Sequence, residues 1–148
     1  MLKSAVYPNP DADKEHHSFT WSIAPHEGGW REGNTVAKAY VLNNPYQTAV
    51  KENEGGNLPA SYSFVQADKE NVVIEAVKKA EDSDAVIVRL YECYNRRGQT
   101  TLTFPRPVKR AVICNMLEEE IGEVLNVNGS QVELELKPYE IETVKVEF

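Results

Sequence analysis

Short alternations of apolar and polar residues, broken every few positions by turn formers, set the pattern of this chain. From His17 to His26, Phe19, Trp21 and Ile23 alternate with Ser18, Thr20 and Ser22, which predicts a half-buried strand ending at Pro25. Asn34 or Thr35 then caps a short amphipathic helix, with Val36 and Tyr40, and Ala37 and Val41, at four-residue spacing; Asn43-Asn44-Pro45 ends it. The stretch Asn43 to Ser61, with Gly55-Gly56, Pro45 and Pro59, has no period and predicts a long surface loop.

Tyr62 to Ala67 reads as a strand. Val72 to Ala80 fits two periods, since Val73 and Val77 suit a helix while Val72, Ile74 and Ala76 suit a strand. The following β-branched run, Ala85 to Tyr94, is reached through the turn Glu81-Asp82-Ser83-Asp84, which favours an antiparallel hairpin. Thr100–Phe104, Val108–Met116 and Val132–Lys137 follow as strands; in the last, Val132, Leu134 and Leu136 alternate with Glu133, Glu135 and Lys137. The final run begins with Tyr139 and Ile141 on one parity and ends with Val144, Val146 and Phe148 on the other, which predicts a bulge or sheet switch near Glu142-Thr143. The expectation is all-β: an antiparallel β-sandwich of about seven strands, with one short helix near Thr35–Asn43 and a long surface loop.

Length changes the picture by setting the domain count. The 148 residues suffice for one domain with a real core, so residues 1–148 are read as a single domain. A formal charge of −7, from 16 Lys and Arg against 23 Asp and Glu, disfavours nucleic acid as a partner, and no apolar run approaches the ~20 residues of a membrane span. Two cysteines, Cys93 and Cys114, in apolar β-like runs point to a reducing compartment. The start Met1-Leu2-Lys3-Ser4 lacks a secretory apolar core, so the cytoplasm is expected.

Candidate chemistry is sparse. His16-His17 beside Asp11, Asp13 and Glu15 has metal-binding residue types, but neighbours on an extended chain point to opposite sides, and a third ligand would have to come from afar. His26, after Pro25, suits a hydrogen bond to a loop carbonyl. Cys93 follows Glu92, whose charge raises a thiol pKa, and Cys114 lies inside an apolar strand, so both read as packing residues. Glu118-Glu119-Glu120 reads as a solvated acidic turn rather than a glycosidase pair. Among aromatics able to stack on sugars, with Tyr40 and Tyr46, Trp21 is expected in the core and Trp30 fits either role. No catalytic, cofactor-binding or metal residue is assigned.

The order of segments is more specific. Asp13…His16-His17-Ser18-Phe19-Thr20-Trp21…Pro25-His26-Glu27-Gly28-Gly29-Trp30-Arg31-Glu32, followed by Ala39-Tyr40 and Leu42-Asn43-Asn44-Pro45, resembles the opening of the C-terminal β region of glycoside hydrolase family 38 α-mannosidases. Ser63-Phe64-Val65, Asn71 to Asp82 and Val88-Arg89-Leu90-Tyr91-Glu92 look like that region's central hairpin, and Glu135 to Thr143 is similar to its closing strand pair. Lys14 stands where a glycine is expected, a departure that touches only the local turn.

The resemblance implies an accessory part of a longer enzyme, since the family's zinc site, aspartate nucleophile and acid/base carboxylate lie upstream of the matched region. The chain is expected to be an excised domain or the tail of a truncated gene, inactive alone. The parent would be a zinc-dependent, retaining α-mannosidase acting on terminal α-mannose by two displacements. The expected partners are the catalytic portion of the same polypeptide and, through it, mannosides, with no membrane. The loop Tyr94-Asn95-Arg96-Arg97-Gly98 is the candidate edge of the surface meeting that portion, against a plain solvated hairpin tip. The alternative is a free-standing carbohydrate-binding sandwich that stacks sugar on Trp30 and neighbouring tyrosines.

Overall fold

A computed structural model describes residues 5–50 and 55–148, which form two compact units with the boundary between Val50 and residue 55.

Both sheets lie in the second unit. Strands β1 (Gln66–Ala67), β4 (Gly98–Thr103), β7 (Asn126–Asn128) and β8 (Gln131–Leu136) form a sheet in the order β1-β4-β8-β7. Strands β2 (Val72–Lys79), β3 (Val86–Glu92), β5 (Arg110–Cys114), β6 (Glu120–Val124) and β9 (Ile141–Glu147) form the other, in the order β2-β3-β9-β5-β6. Every pairing is antiparallel, so the expected sandwich is the observed one. Alternation puts Val132, Leu134 and Leu136 of β8 inward and Gln131, Glu133 and Glu135 outward. They meet Val88 and Leu90 of β3, Leu102 of β4, and Val144 and Val146 of β9 in one core, with Phe104, Val108 and Ala111. Burial of these side chains supplies the main force holding the sheets face to face, at roughly 1.5–3 kcal/mol per large apolar residue.

The double period of 72–80 has a local cause. β2 pairs with β3 as predicted, but the register shifts between Ile74 and Ala76. The extra residue, Glu75, changes the parity, so Val72, Ile74 and Val77 lie opposite Glu92, Leu90 and Val88 on one face. The bulge predicted at Glu142-Thr143 is absent: β9 pairs with β3 in unbroken register from Ile141 to Val146. The parity change there arises because Tyr139 and Ile141 are exposed apolar residues, 58% and 67% accessible.

The remaining differences concern short or uncovered elements. The strand expected over Tyr62–Ala67 shrinks to Gln66–Ala67. β6, every residue of it exposed, and the three-residue β7 are additional. In the first unit the helix α1 spans Thr35–Asn43 as predicted, but Asn34 precedes it at φ 50° without a side-chain cap, and none of its residues is buried. Residues 18–26 carry no strand, and Phe19, Trp21 and Ile23 are 67%, 70% and 80% exposed rather than half-buried. Of the loop over 43–61, residues 51–54 lie outside the described residues and the others are exposed and irregular.

Candidate functional site

The most constrained polar group in the sandwich is Glu92. Two-residue alternation along β3 puts it on the parity of Val88 and Leu90, and it is 1% exposed. Its carboxylate accepts hydrogen bonds from Asn71 Nδ2 at 2.9 Å, the Tyr94 N–H at 2.7 Å and the Tyr139 N–H at 2.9 Å. Burial raises its pKa, but those donors and the Arg96 N–H outweigh burial and hold the carboxyl below its ordinary value. One side chain thereby fastens the entry to β2, the turn after β3 and the turn between β8 and β9. This is a structural hub rather than an acid/base group, because every donor it meets is fixed.

That hub shapes the loop Tyr94–Gly98. Asn95 turns the chain at φ 62°, and Tyr94 is buried with the Arg96 guanidinium 5.8 Å from its ring centre. Arg97 Nη1 donates to Glu135 Oε1 across the sheet at 3.1 Å. Both arginines are exposed. The loop is a defined turn that presents cations, and nothing in it is nucleophilic.

On the outer face of the five-stranded sheet, residues 115–119 fold back after β5. Asn115 Oδ1 accepts from the N–H groups of Leu117 and Glu119 at 2.9 and 3.0 Å, and Glu118 holds φ 67°. Glu118 then accepts from Lys78 Nζ at 2.8 Å and the Glu81 N–H at 2.8 Å, and those bonds, the Lys78 bond first, lower its pKa. Beneath this strap Ala80, Ala85, Ile87 and Cys114 form a small buried cluster. Glu118-Glu119-Glu120, read as a solvated turn, thus contains a clamp, and Glu120 begins β6 and bonds Arg110. Beside the strap, a groove of about 490 Å³ is lined by Arg89, Cys114, Met116, Ile121 and Ile141. Arg89 Nε donates to Thr143 Oγ1 at 3.2 Å.

The other candidates are not brought together. His17 Nε2 lies 2.9 Å from the Asp13 carbonyl and His26 Nδ1 3.1 Å from the Glu27 carbonyl, so the carbonyl partner expected for His26 is present. Among the described residues no group of three or more His, Cys, Asp and Glu can hold a metal ion. Cys93 and Cys114 are free and buried, as packing residues should be. Burial first and the Glu92 charge second push the Cys93 thiol up, and burial pushes Cys114 up, which leaves neither activated. Trp21, expected in the core, instead lines a groove of about 390 Å³ with Thr20, Ser22, His26 and Lys38. Trp30 is 38% exposed beneath the Arg31 guanidinium, 4.4 Å from its ring centre. Among the described residues no helix is long and apolar enough to cross a membrane.

In the sequence Glu92 stands out only as a neighbour of Cys93 and as the last residue of the Arg89-Leu90-Tyr91-Glu92 strand, with no role of its own. The signal for it was a carboxylate on the apolar parity of a strand otherwise buried on that side.

Known proteins resemble the chain at two scales. Residues 71–144 match the family model described as the glycosyl hydrolases family 38 C-terminal beta sandwich domain. Alpha-mannosidase G of Dictyostelium discoideum is 30% identical over 98% of this chain, and human alpha-mannosidase 2C1 is 28% identical over 95%. The alpha-mannosidase of Saccharomyces cerevisiae is 24% identical over the whole chain. The chain spans only 14% of the length of the first two relatives and 15% of the third.

Proposed function

Because this chain belongs to the C-terminal β-sandwich region of the glycoside hydrolase family 38 α-mannosidases, we propose that it is the accessory part of a longer, retaining, zinc-dependent α-mannosidase. It braces the catalytic portion and contributes no catalytic residue. The observation that carries this reading is the match of nearly the whole chain to 14% of each of two α-mannosidases.

The donor set among the described residues speaks against zinc in this chain. His17 and His26 sit against backbone carbonyls, and the described residues offer no group of three or more metal-binding side chains. Zinc and the paired carboxylates of a retaining mechanism therefore belong, on this reading, to polypeptide outside the chain. Mannosides meet the parent there. Bracing finds support in the sandwich itself, with its Glu92 hub and closed core, and in the exposed Arg96 and Arg97. Two free, buried thiols accord with a reducing compartment, the cytoplasm.

The test compares the 148-residue chain with the full polypeptide of its gene. The chain alone should turn over no aryl α-mannoside and hold less than stoichiometric zinc, whereas the full polypeptide should turn over the aryl α-mannoside and bind one zinc per chain. Turnover by the purified chain overturns the accessory role. A full polypeptide without mannosidase activity overturns the parent. Affinity of the chain alone for mannosides would favour the carbohydrate-binding alternative.

A further inference from the structure

We propose that the groove beside the strap, on the outer face of the five-stranded sheet, seats a segment of the parent mannosidase that lies outside this chain and carries a carboxylate among apolar side chains, with Arg89 as the carboxylate's partner. The inference deepens the bracing role and rests on the reading of the chain as part of that longer enzyme.

Alternation along β3 and β9 puts Arg89 and Thr143 opposite each other, away from the core face of Val88, Leu90 and Val144. Glu118 clamps the strap over Ile87 and Cys114, which closes one part of this outer face. The next part is open. There Met116 from the strap, Ile121 from β6 and Ile141 from β9 line the groove of about 490 Å³ and remain 76%, 67% and 67% exposed. A volume in the ~300–1,000 Å³ range suits a seated ligand. Single apolar residues at a surface are ordinary, but three brought to one groove by three separate elements make a patch.

The groove is built before anything enters it. Asn115 holds the strap through its whole carboxamide, Oδ1 accepting from the Leu117 and Glu119 N–H groups and Nδ2 donating to Glu119 Oε2 at 2.8 Å, while the Asn115 N–H donates to the Glu119 carbonyl at 2.9 Å. Gly122 lies against Ile113 so closely that a Cβ there would stand 2.5 Å from the Ile113 Cβ, which seats β6 on its neighbour. Walls held this way lose little freedom on binding, and the flexible Met116 side chain adapts to what it meets.

Charge identifies the occupant. Lys78, Lys79, Arg97, Arg110 and Lys137 of the sandwich each hold a carboxylate. Arg89, which lines the groove and is half-buried, holds only the Thr143 hydroxyl, through Nε, among the described residues, and Glu118 and Glu120 are engaged by Lys78 and Arg110. Its two η nitrogens present the fork that a carboxylate fills, and apolar surroundings strengthen such a pair. Glu142 also lines the groove, but it shares the inward parity of Val144 and Val146 and stands opposite Leu90. The apolar surface runs on past the groove to Leu117, 77% exposed, and Ile141 pairs with Tyr91, three residues before the loop that presents Arg96 and Arg97. A surface of that extent suits polypeptide rather than a small acid, and with 14% of two α-mannosidases represented here, the polypeptide at hand is the rest of the parent.

Methionine oxidation read by mass spectrometry tests the site without any variant. In dilute hydrogen peroxide, Met116 should become the sulfoxide at least about tenfold more slowly in the full polypeptide than in the 148-residue chain. Ile121→Ser with Ile141→Ser should lower the melting temperature of the full polypeptide and leave that of the chain nearly unchanged. Arg89→Glu, which sets like charges together, should cost the full polypeptide more than Arg89→Gln does, with no such difference in the chain. Equal oxidation of Met116 in a full polypeptide that is active on an aryl α-mannoside overturns the groove and spares the parent reading. Equal losses from Arg89→Glu and Arg89→Gln would remove the carboxylate and overturn the proposal. A native polypeptide of 16.7 kDa would remove the parent and the proposal together. Slow oxidation in the chain alone, deepening with its concentration, would assign the groove to a second copy and overturn the proposal.

Discussion

Replacing Glu92 with alanine removes the acceptor shared by the Asn71 amide and the N–H groups of Tyr94, Tyr139 and Arg96. A buried donor left without a partner costs roughly 1–3 kcal/mol, and water reaching the partly buried Asn71 and Tyr139 sites recovers some of that. The net loss should be about 3–5 kcal/mol, a third or more of the ~5–15 kcal/mol that holds a typical domain folded. Glu92→Gln keeps the shape but turns an NH2 toward a fixed N–H, so it should cost less, about 2–3 kcal/mol. Urea unfolding followed by far-UV circular dichroism is the appropriate assay, because Trp21 and Trp30 both lie in the first unit and tryptophan fluorescence does not report on the sandwich.

The pH dependence supplies an independent check. The folded-state pKa of Glu92 is depressed, so its stabilisation is fully present above the unfolded carboxyl value of about 4.3 and is lost as pH falls through the folded value. The gap between wild type and Glu92→Ala should be widest at neutral pH and narrow progressively below about pH 4. Asp68, also depressed and bonded to Thr100 Oγ1 at 2.9 Å and the Thr101 N–H at 2.8 Å, should add a similar acid loss in both proteins and cancel from the difference. A Glu92→Gln variant within ~0.5 kcal/mol of wild type at pH 7 would refute the hub, since surface substitutions commonly cost no more than that.

Other perturbations probe other layers. Leu102→Ala, at 0% exposure in the core, should cost about 2–5 kcal/mol in the same urea assay, and under 1 kcal/mol would mean the sheets are not packed as described. Glu142 is pushed up, by burial first and by the Glu140 charge second, so its ionised form destabilises the fold as pH rises. Glu142→Gln should therefore raise the melting temperature at pH 7, with the gain vanishing near pH 4; a pH-independent effect would contradict this. Glu118→Ala should release the strap over the Ala80, Ile87 and Cys114 cluster and make Cys114 react several-fold faster with a thiol reagent. An unchanged rate would show that the strap does not cover the thiol.

What the sequence disclosed depended on how completely each element is covered within this chain. Val132, Leu134 and Leu136 announce β8 because one face meets only core and the other only solvent. β6 escaped because all five of its residues are exposed, so no alternation marks it. The parity change at Ile141 imitated a bulge because the outer face also carries apolar residues there, Ile141 sharing a groove with Met116 and Ile121. The bulge in β2, at Glu75, showed only as two competing periods. The candidate residues fared in the same way. His26 and the cysteines could be placed from their neighbours, whereas Glu92 required knowing that Asn71 and Tyr139 return to it from distant positions in the chain.

The two units differ in where their stability originates. In residues 55–148 each sheet covers the other, and Val88, Leu90, Leu102, Val132, Val144 and Val146 reach 0% exposure in one core. Among residues 5–50 only Gly33 is buried, and α1, nine residues long with no buried side chain, is shorter than the ~12–15 residues at which even good helix formers become marginally stable alone. The same 41% hydrophobic composition therefore serves two ends. In the sandwich the apolar residues close a core, and in the first unit Phe19, Trp21 and Ile23 remain on the surface. The order of the sandwich therefore draws on its own buried core, whereas the first unit, with Gly33 alone buried among residues 5–50, has little apolar burial behind it.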